Sequence, residues 1–174
     1  GTVFAAGQEA PRRRVAIKVL QSRSESALAR FAAEAEIMAR LDHPGIARVL
    51  EAGDADGHPF LVMEHVDGTT LDRFAKELPR AKQLELFAAL CDAVHHAHLK
   101  GVIHRDLKPS NVMVKSDGRV VVLDFGIARL AAEKKSAGET HAGELIGTPL
   151  YMSPEQARLH ADEADVRTDV YTID

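Results

Sequence analysis

The chain has 174 residues and a formal net charge of −4, and 45% of its residues are hydrophobic and 28% charged. This composition is typical of a soluble globular protein, and the acidic total argues against a nucleic-acid-binding protein, which usually carries a basic surface. The single cysteine, Cys91, excludes an internal disulfide, and no apolar run reaches the ~20 residues of a membrane span, so we expect a cytoplasmic chain without membrane contact.

Strands and helices are both predicted in the first hundred residues. Runs of β-branched and apolar residues predict strands over 15–20, 46–52 and 60–64, the last two joined by an Asp-Gly turn. Apolar residues three and four positions apart predict a helix over about 22–40. A longer helix is expected over about 79–100, because it begins with proline, a favourable first helical residue, and is followed by glycine.

Charged residues precede and interrupt the first of these strands. The basic run Arg12-Arg13-Arg14 is interpreted as a solvated turn, because the chain as a whole is acidic. Lys18 lies inside the apolar run, where a lysine either extends its amine to the surface or serves a site.

The long helix carries three histidines that could suggest a metal site. No carboxylate or cysteine completes a ligand set with His95, His96 and His98, so a metal is not expected there. The helix face expected to be buried consists of Leu84, Phe87, Ala88, Cys91, Val94 and His98.

Polar residues on either side of a second hairpin, over 112–122, suit phosphoryl transfer. The hairpin is expected to bring Asn111 and Asp124 together, and amide and carboxylate oxygens are ligands that Mg²⁺ prefers. Asp106 can accept a proton from a hydroxyl group, and Lys108 can neutralise a phosphoryl group in transit. These are the parts that phosphoryl transfer requires.

Four short motifs make the chain resemble protein kinases. In chain order they are Val15-Ala16-Ile17-Lys18, His104-Arg105-Asp106-Leu107-Lys108-Pro109-Ser110-Asn111, Asp124-Phe125-Gly126 and Ser153-Pro154-Glu155. One such tetrapeptide is weak evidence, whereas four in the expected order are strong evidence. The sequence of residues 147–157 is most similar to that of the eukaryotic-like Ser/Thr kinases of bacteria, and the resemblance covers nearly the whole chain.

The resemblance implies an α+β, bilobal fold. A small lobe over 1–66 would hold an antiparallel sheet and one helix, and a larger, mostly helical lobe would follow over 67–174. Gly1-Thr2-Val3 matches only the end of the family's glycine-rich loop, and Asp174 falls inside the central helix of the large lobe. We therefore expect a partial kinase domain, truncated at both ends, that is unstable and weakly active or inactive in isolation.

The resemblance also implies the nucleotide site. Lys18 would hold the α- and β-phosphates and pair with Glu34, or with Glu36 if the helix register differs. Met63 would be the gatekeeper, and 64–66 the hinge between the lobes. The residues expected to contact ATP are Gly1, Val3, Ala16, Lys18, Met63, Glu64, Val66, Asn111, Met113 and Asp124.

The expected catalytic and metal residues follow from the same motifs. Asp106 would act as the base, and Lys108 would contact the phosphate. Asn111 and Asp124 would hold Mg²⁺. Further along, Asp169 would bind the backbone N–H groups around the His-Arg-Asp motif, and Glu155 would pair with a later arginine.

The polar segment between Asp124 and Glu155 resembles a kinase activation segment. Thr140 is the preferred phosphorylation site and Ser136 the second, since a phosphate at either could pair with Arg105. Thr148 is expected instead to line the peptide-docking surface and to contact the catalytic loop.

We therefore expect a Ser/Thr kinase that uses ATP and Mg²⁺ and acts on proteins, itself included by autophosphorylation. A small-molecule phosphotransferase of the aminoglycoside type is one alternative, although it normally lacks Lys108 and the 147–155 motif. A non-catalytic, kinase-like binding module is the other, although such modules usually lose a catalytic residue that is present here. A membrane tether elsewhere in the parent protein stays open.

Overall fold

The structure is a computed structural model that describes residues 2–19, 31–32, 35–125, 149–157 and 165–173. Its first sheet has four antiparallel strands in the order β1-β2-β4-β3. The strands are β1 (Thr2–Gln8), β2 (Arg13–Val19), β3 (Val49–Ala55) and β4 (His58–Glu64). Three of them were predicted, and β1 was not, because its middle residues, Ala and Gly, have little strand preference.

Helix α1, described at 31–32 and 35–39, confirms the apolar stripe of the first predicted helix. Phe31, Ala35 and Met38 are all buried in the core. Between β3 and β4 the chain turns at Asp56 and Gly57, which both have positive φ. The Asp-Gly signal in the sequence therefore marks the hairpin correctly.

The second half of the chain combines helices with a small sheet of order β5-β6-β7. Its strands are β5 (Thr69–Thr70), β6 (Val112–Val114) and β7 (Val120–Val122). Its α-helices are α2 (Leu71–Ala75), α3 (Arg80–Leu99), α4 (Pro154–Ala157) and α5 (Val166–Ile173). Short 3₁₀ helices cover Pro109–Asn111 and Pro149–Tyr151.

The buried face of α3 differs from the predicted one. Leu84 and Phe87 are 51% and 43% exposed and Ala88 is exposed as well, so the prediction was wrong at these three positions. Val94 is buried as predicted, and the other buried residues of the helix are Leu86, Leu90, Ala93 and Ala97. Apolar residues occur around much of this helix, so their spacing does not single out one face.

A short backbone connection links the segment before β3 to β7, the edge strand of the second sheet. Ile46, after α1, forms a parallel bridge with Val122 of β7. Two hydrogen bonds flank the bridge, from Ala47 N to Val122 O (3.0 Å) and from Val122 N to Gly45 O (2.8 Å). A Cβ at Gly45 would lie only 3.0 Å from Cβ of Ala93, so glycine permits the close approach of this segment to α3. This connection fixes the first sheet relative to the hairpin that carries the candidate site.

Within the described residues, the structure contains no helix of the length and apolarity that a bilayer crossing requires.

Candidate active site

The loop between α3 and β6 is held by a carboxylate from the far end of the chain. Asp169 on α5 is fully buried. Its Oδ2 accepts from His104 N and its Oδ1 from Arg105 N, both at 2.8 Å, which confirms the predicted contact. His98 Nε2 lies 2.8 Å from Oδ2 as well. Helix α5 therefore fixes the backbone just before Asp106.

His104 is the buried centre of this loop. Its Nε2 donates to Leu123 O at 2.8 Å, and its Nδ1 accepts from Asp106 N at 3.3 Å. The ring also packs on Phe125, with centroids 4.8 Å apart. Burial lowers the pKa of His104, and the negative charge of Asp169 opposes that effect only in part. The neutral, Nε2-protonated ring satisfies both of these hydrogen bonds.

The polar residues of the loop converge on Asp106. Lys108 Nζ lies 2.8 Å from its Oδ2. Asn111 Nδ2 donates to Asp106 O at 2.8 Å and to Oδ2 at 3.2 Å. The 3₁₀ turn Pro109–Asn111 returns the chain so that these three side chains meet. The Asp106 side chain is 42% exposed, which leaves the carboxylate open to an incoming group.

Asp124 stands directly beside this loop, two residues after β7. Leu123 N donates to Asn111 O at 2.8 Å, so the hairpin holds the two segments together. Lys18 Nζ of β2 lies 2.9 Å from Asp124 Oδ1 as an ion pair, and the lysine side chain is only 8% exposed. This contact brings a residue of the first sheet to the second.

The oxygen donors at this point fit Mg²⁺. Asp124 Oδ1 is buried and accepts no hydrogen bond within the described structure, although it faces the charge of Lys18. The Asn111 amide nitrogen is occupied by Asp106, so its amide oxygen takes no part in those bonds. A hard cation that completes its shell with phosphate oxygens and water suits one carboxylate and one amide oxygen.

Two residues of the site have a left-handed backbone although neither is glycine. Arg105 has φ 64° and Asp124 has φ 53°. Such conformations cost about 1–3 kcal/mol each and persist only where the surroundings impose them. At Arg105 the surroundings are visible, because Asp169 binds its N–H and Gln156 Nε2 donates to its C=O at 2.7 Å.

Gln156 is a residue that the sequence reasoning missed. It is 3% exposed, and its Oε1 also accepts from Ser153 N at 3.1 Å. It therefore ties the segment after the 3₁₀ turn Pro149–Tyr151 to the loop between α3 and β6. Its position directly after Glu155 in the Ser-Pro-Glu motif was the only available signal, because a glutamine has no chemistry that singles it out.

Glu155 is anchored to α5 within the described residues. It accepts from Thr168 Oγ1 at 2.6 Å, and this hydrogen bond lowers the pKa of the glutamate.

The expected nucleotide-contacting residues occupy both sheets. Ala16 of β2 is paired with Met63 of β4, which is 5% exposed. Met113 and Val66 are half-buried. Glu64 accepts from Lys115 Nζ at 2.9 Å, and Val3 on β1 is paired with Lys18.

Five expected site residues lie outside the described part of the chain, namely Gly1, Glu34, Ser136, Thr140 and Thr148. Glu36, the alternative to Glu34, is exposed on α1.

Comparison with known proteins identifies relatives along nearly the whole chain. The family model described as protein kinase domain matches residues 1–173. The serine/threonine-protein kinase PknB of Mycobacterium leprae is 42% identical over 171 residues, which cover 92% of this chain and 27% of that protein. A probable serine/threonine-protein kinase of Streptomyces coelicolor is 39% identical over 170 residues, with 92% and 25% covered. The chain thus spans about a quarter of the length of these curated relatives.

Solved structures agree on the fold. The crystal structure of the Mycobacterium tuberculosis PknI kinase domain has a TM-score of 0.73 at 30% identity, covering 98% of this chain and 64% of that one. Rad53 in complex with AMP-PNP has a TM-score of 0.76 at 24% identity, covering 98% and 42%, and this likeness bears on the fold alone. The bilobal fold expected from the sequence is confirmed. The matches do not favour a small-molecule phosphotransferase or a non-catalytic module.

Proposed function

The chain belongs to the protein kinase family, and from this premise we propose that the protein transfers the terminal phosphoryl group of ATP to Ser and Thr hydroxyls of proteins. The observation that carries the proposal is the convergence of Lys18, Asp106, Asn111 and Asp124 on one place from two sheets and a loop. The names of the curated relatives, which are serine/threonine-protein kinases, support the substrate class.

Asp106 is the proposed base. Its carboxylate is exposed enough to meet a substrate hydroxyl, and both Lys108 and Asn111 bind its Oδ2 and hold it in place. A positioned carboxylate can accept the hydroxyl proton as the oxygen attacks phosphorus. Lys108, 2.8 Å away, can then bind the oxygens of the group in transfer.

Lys18 is proposed to bind the nucleotide phosphates. The lysine is buried and faces Asp124, so its ammonium group is already directed at the site before substrate arrives. Glu34 is its proposed partner on the first helix. Ala16 and Met63, adjacent across β2 and β4, would enclose the adenine ring with Val66, Met113 and Val3.

Asn111 and Asp124 are the proposed Mg²⁺ ligands. When bound, Mg²⁺ would neutralise phosphate charge and orient the transferred group. Within the described residues, Asp124 Oδ1 is contacted by Lys18 and Asn111 is held through its amide nitrogen, which leaves the amide oxygen of Asn111 available to a cation.

Regulation is proposed to act through the segment between Asp124 and Glu155. Phosphorylation of Thr140, or of Ser136, would place a dianion within reach of Arg105, and autophosphorylation would supply it. Thr148 is proposed to contact the substrate peptide instead. The division into lobes at 66 and 67 is part of the same proposal.

The test is transfer of ³²P from Mg-ATP to a generic protein substrate by the intact protein. Asp106→Asn is expected to lower kcat by about 10²–10⁴-fold, the usual contribution of a general base. Asp124→Ala is expected to abolish label, and Glu51→Ala, an exposed acid on β3, to leave it unchanged. ATP binding by the intact protein with no transfer to Ser or Thr would contradict the proposal and favour a binding module.

A further inference from the structure

A cavity lies where the first sheet meets the β6–β7 hairpin, outside the candidate active site. Its volume is about 650 Å³, within the range of about 300–1,000 Å³ typical of ligand sites. None of Lys18, Asp106, Asn111 and Asp124 lines it, and the only expected nucleotide-contacting residue on its wall is Glu64.

The wall of this cavity is basic although the chain as a whole is acidic. Five lining residues are cationic, namely Arg13, Arg14, Arg48, Lys115 and Arg119. Only two lining residues, Asp42 and Glu64, are carboxylates, whereas the net charge of the chain is −4. A concave surface of one dominant sign concentrates the field and attracts ligands of the opposite sign. Of the run Arg12-Arg13-Arg14, Arg13 and Arg14 are exposed residues of β2 that line this cavity.

Lys115 pairs with Glu64 at 2.9 Å, and their side chains are 25% and 35% exposed, whereas the arginines are only weakly engaged by the carboxylates that the structure describes. Arg48 pairs with Asp42, and their side chains are 61% and 78% exposed. Arg119 pairs with Asp117 at 3.2 Å, with both side chains more than half exposed. Such exposed pairs contribute little to stability, so an incoming carboxylate can replace them at small cost. Arg14 forms no ion pair with any residue that the structure describes.

The distribution of the cations indicates the kind of ligand. They come from the start of β2, the approach to β3 and both arms of the β6–β7 hairpin, and so they surround the cavity rather than meet at one point. Four of the five are arginines, whose planar guanidinium groups bind carboxylates through two hydrogen bonds. Several carboxylates along one flexible chain match this arrangement better than a single compact anion does.

We propose that this cavity binds an acidic peptide segment, rich in Asp and Glu, of a protein partner. The binding itself is independent of catalysis. Its use in selecting substrates rests on the kinase function proposed above, because a segment held here would tether a protein whose Ser or Thr enters the separate active site.

The binding test uses the intact protein and a short fluorescent peptide of Asp and Glu that lacks Ser, Thr and Tyr. The double variant Arg14→Gln/Arg48→Gln is expected to weaken its Kd about tenfold, since exposed charge pairs contribute modestly. Arg73→Gln/Arg80→Gln, which changes two exposed arginines outside the cavity, is expected to leave the Kd unchanged. Raising the salt concentration should weaken binding to the unmodified protein.

Three results would overturn the proposal. An Asn/Gln peptide of equal length that binds equally well would show that charge is not recognised. Equal losses in the two double variants would place the effect outside the cavity. Binding of inorganic phosphate without binding of the acidic peptide would indicate a simple anion site.

Catalysis is tested separately, so the two proposals can fail independently. Asp124→Ala is expected to keep full peptide binding while it loses phosphoryl transfer. For a substrate peptide with an acidic extension, Arg14→Gln/Arg48→Gln is expected to raise KM about tenfold with kcat unchanged. An unchanged KM would overturn the role in substrate selection, and peptide binding without any phosphoryl transfer would overturn the kinase function alone.

Discussion

His104 is enclosed by protein on every side, and its two ring nitrogens are used by Leu123 O and Asp106 N. Burial lowers the pKa of His104. Below pH about 6.5, the usual pKa of histidine, this residue is therefore protonated in the unfolded chain but stays neutral in the folded chain. Stability should therefore fall as the pH falls from about 6.5 toward the folded-state pKa. This one histidine can change the free energy of unfolding by at most ~1.4 kcal/mol per pH unit.

The measurement is the free energy of unfolding of the kinase domain between about pH 7.5 and pH 5, by urea titration. His104→Asn should flatten the dependence over that window, because the titrating ring is gone. His95→Asn, at an exposed position of α3, should leave the slope as it is. Equal slopes for the unmodified protein and His104→Asn would show that the histidine is not held neutral.

Gln156 makes its contribution through Arg105. Gln156→Met keeps the volume but removes both the donor to Arg105 O and the acceptor for Ser153 N. The strained backbone of Arg105, just before Asp106, then loses its hydrogen bond from Gln156 and keeps the one to Asp169. Because small displacements of catalytic groups lower the rate, we expect kcat to fall by about tenfold. KM for ATP should not change, since Gln156 lies apart from the nucleotide-contacting residues. A variant with full kcat, or with only a raised KM for ATP, would contradict this role.

At the residue scale, the sequence motifs predicted which charged residues lie close together, but they did not predict the neutral side chain that supports them. Asp106, Lys108, Asn111 and Asp124 were predicted as one group, because carboxylate, amine and amide side chains in that spacing have few other uses. The two side chains that bind the Arg105 backbone differ in how far the sequence predicted them. Asp169 was predicted from resemblance, but Gln156 gave no signal, since its importance arises only from where the fold places it.

At the scale of elements, α5 is coupled to the catalytic loop by one buried side chain. Asp169 accepts hydrogen bonds from two backbone N–H groups, and His98 Nε2 lies within bonding distance. Asp169→Asn should therefore destabilise the kinase domain by roughly 3 kcal/mol, because an amide group turns a donor toward buried donors. Urea unfolding measures the loss.

A second His–Asp pair supplies the matched control. His43 Nε2 lies 3.1 Å from Asp92 Oδ2, but the Asp92 side chain is 74% exposed. Asp92→Asn should cost at most ~1 kcal/mol. Similar losses at Asp92 and Asp169 would mean that burial does not set the strength of the α5 contact.

Secondary structure was predictable where one face or one turn dominates. The stripe on α1 and the Asp-Gly turn are such cases, because a single spacing or a single turn type accounts for the residues. Helix α3 is the opposite case. This helix is apolar on more than one face. Whether Leu84 or Leu86 is buried therefore depends on which elements pack against the helix, and the sequence of the helix alone does not give that information.

At the scale of the whole molecule, Ile46 is one of the residues that link the two sheets. It is 2% exposed and forms the bridge to Val122. Ile46→Ala should cost about 2–5 kcal/mol, the usual range for removing a buried aliphatic side chain. Ile37→Ala, on the 41% exposed Ile37 of α1, should cost roughly 0.5 kcal/mol or less.

Denaturant unfolding of both variants checks this expectation. If the Ile46 variant lost no more stability than the Ile37 variant, the connection between the sheets would not depend on that side chain.

The overall architecture could be predicted from the sequence only through its motifs. Their order along the chain implied two lobes, and the ion pair between Lys18 and Asp124 joins residues of the two sheets. The basic cavity could not be predicted in this way. Its arginines lie in separate stretches near 13, 48 and 119, of which only the first is a basic run, and the fold brings them together.

The distance along the chain between Asp169 and the residues it holds also bears on the order of synthesis. Asp169 lies 65 residues after His104 and 64 after Arg105. At about 5–20 residues per second, a ribosome needs roughly 3–13 s to add that length. From the addition of Asp124 until the addition of Asp169, the nascent chain has the residues of the proposed active site without the carboxylate that holds the backbone before Asp106. We expect the nascent chain to show none of the proposed phosphoryl-transfer activity until α5 has emerged from the ribosome.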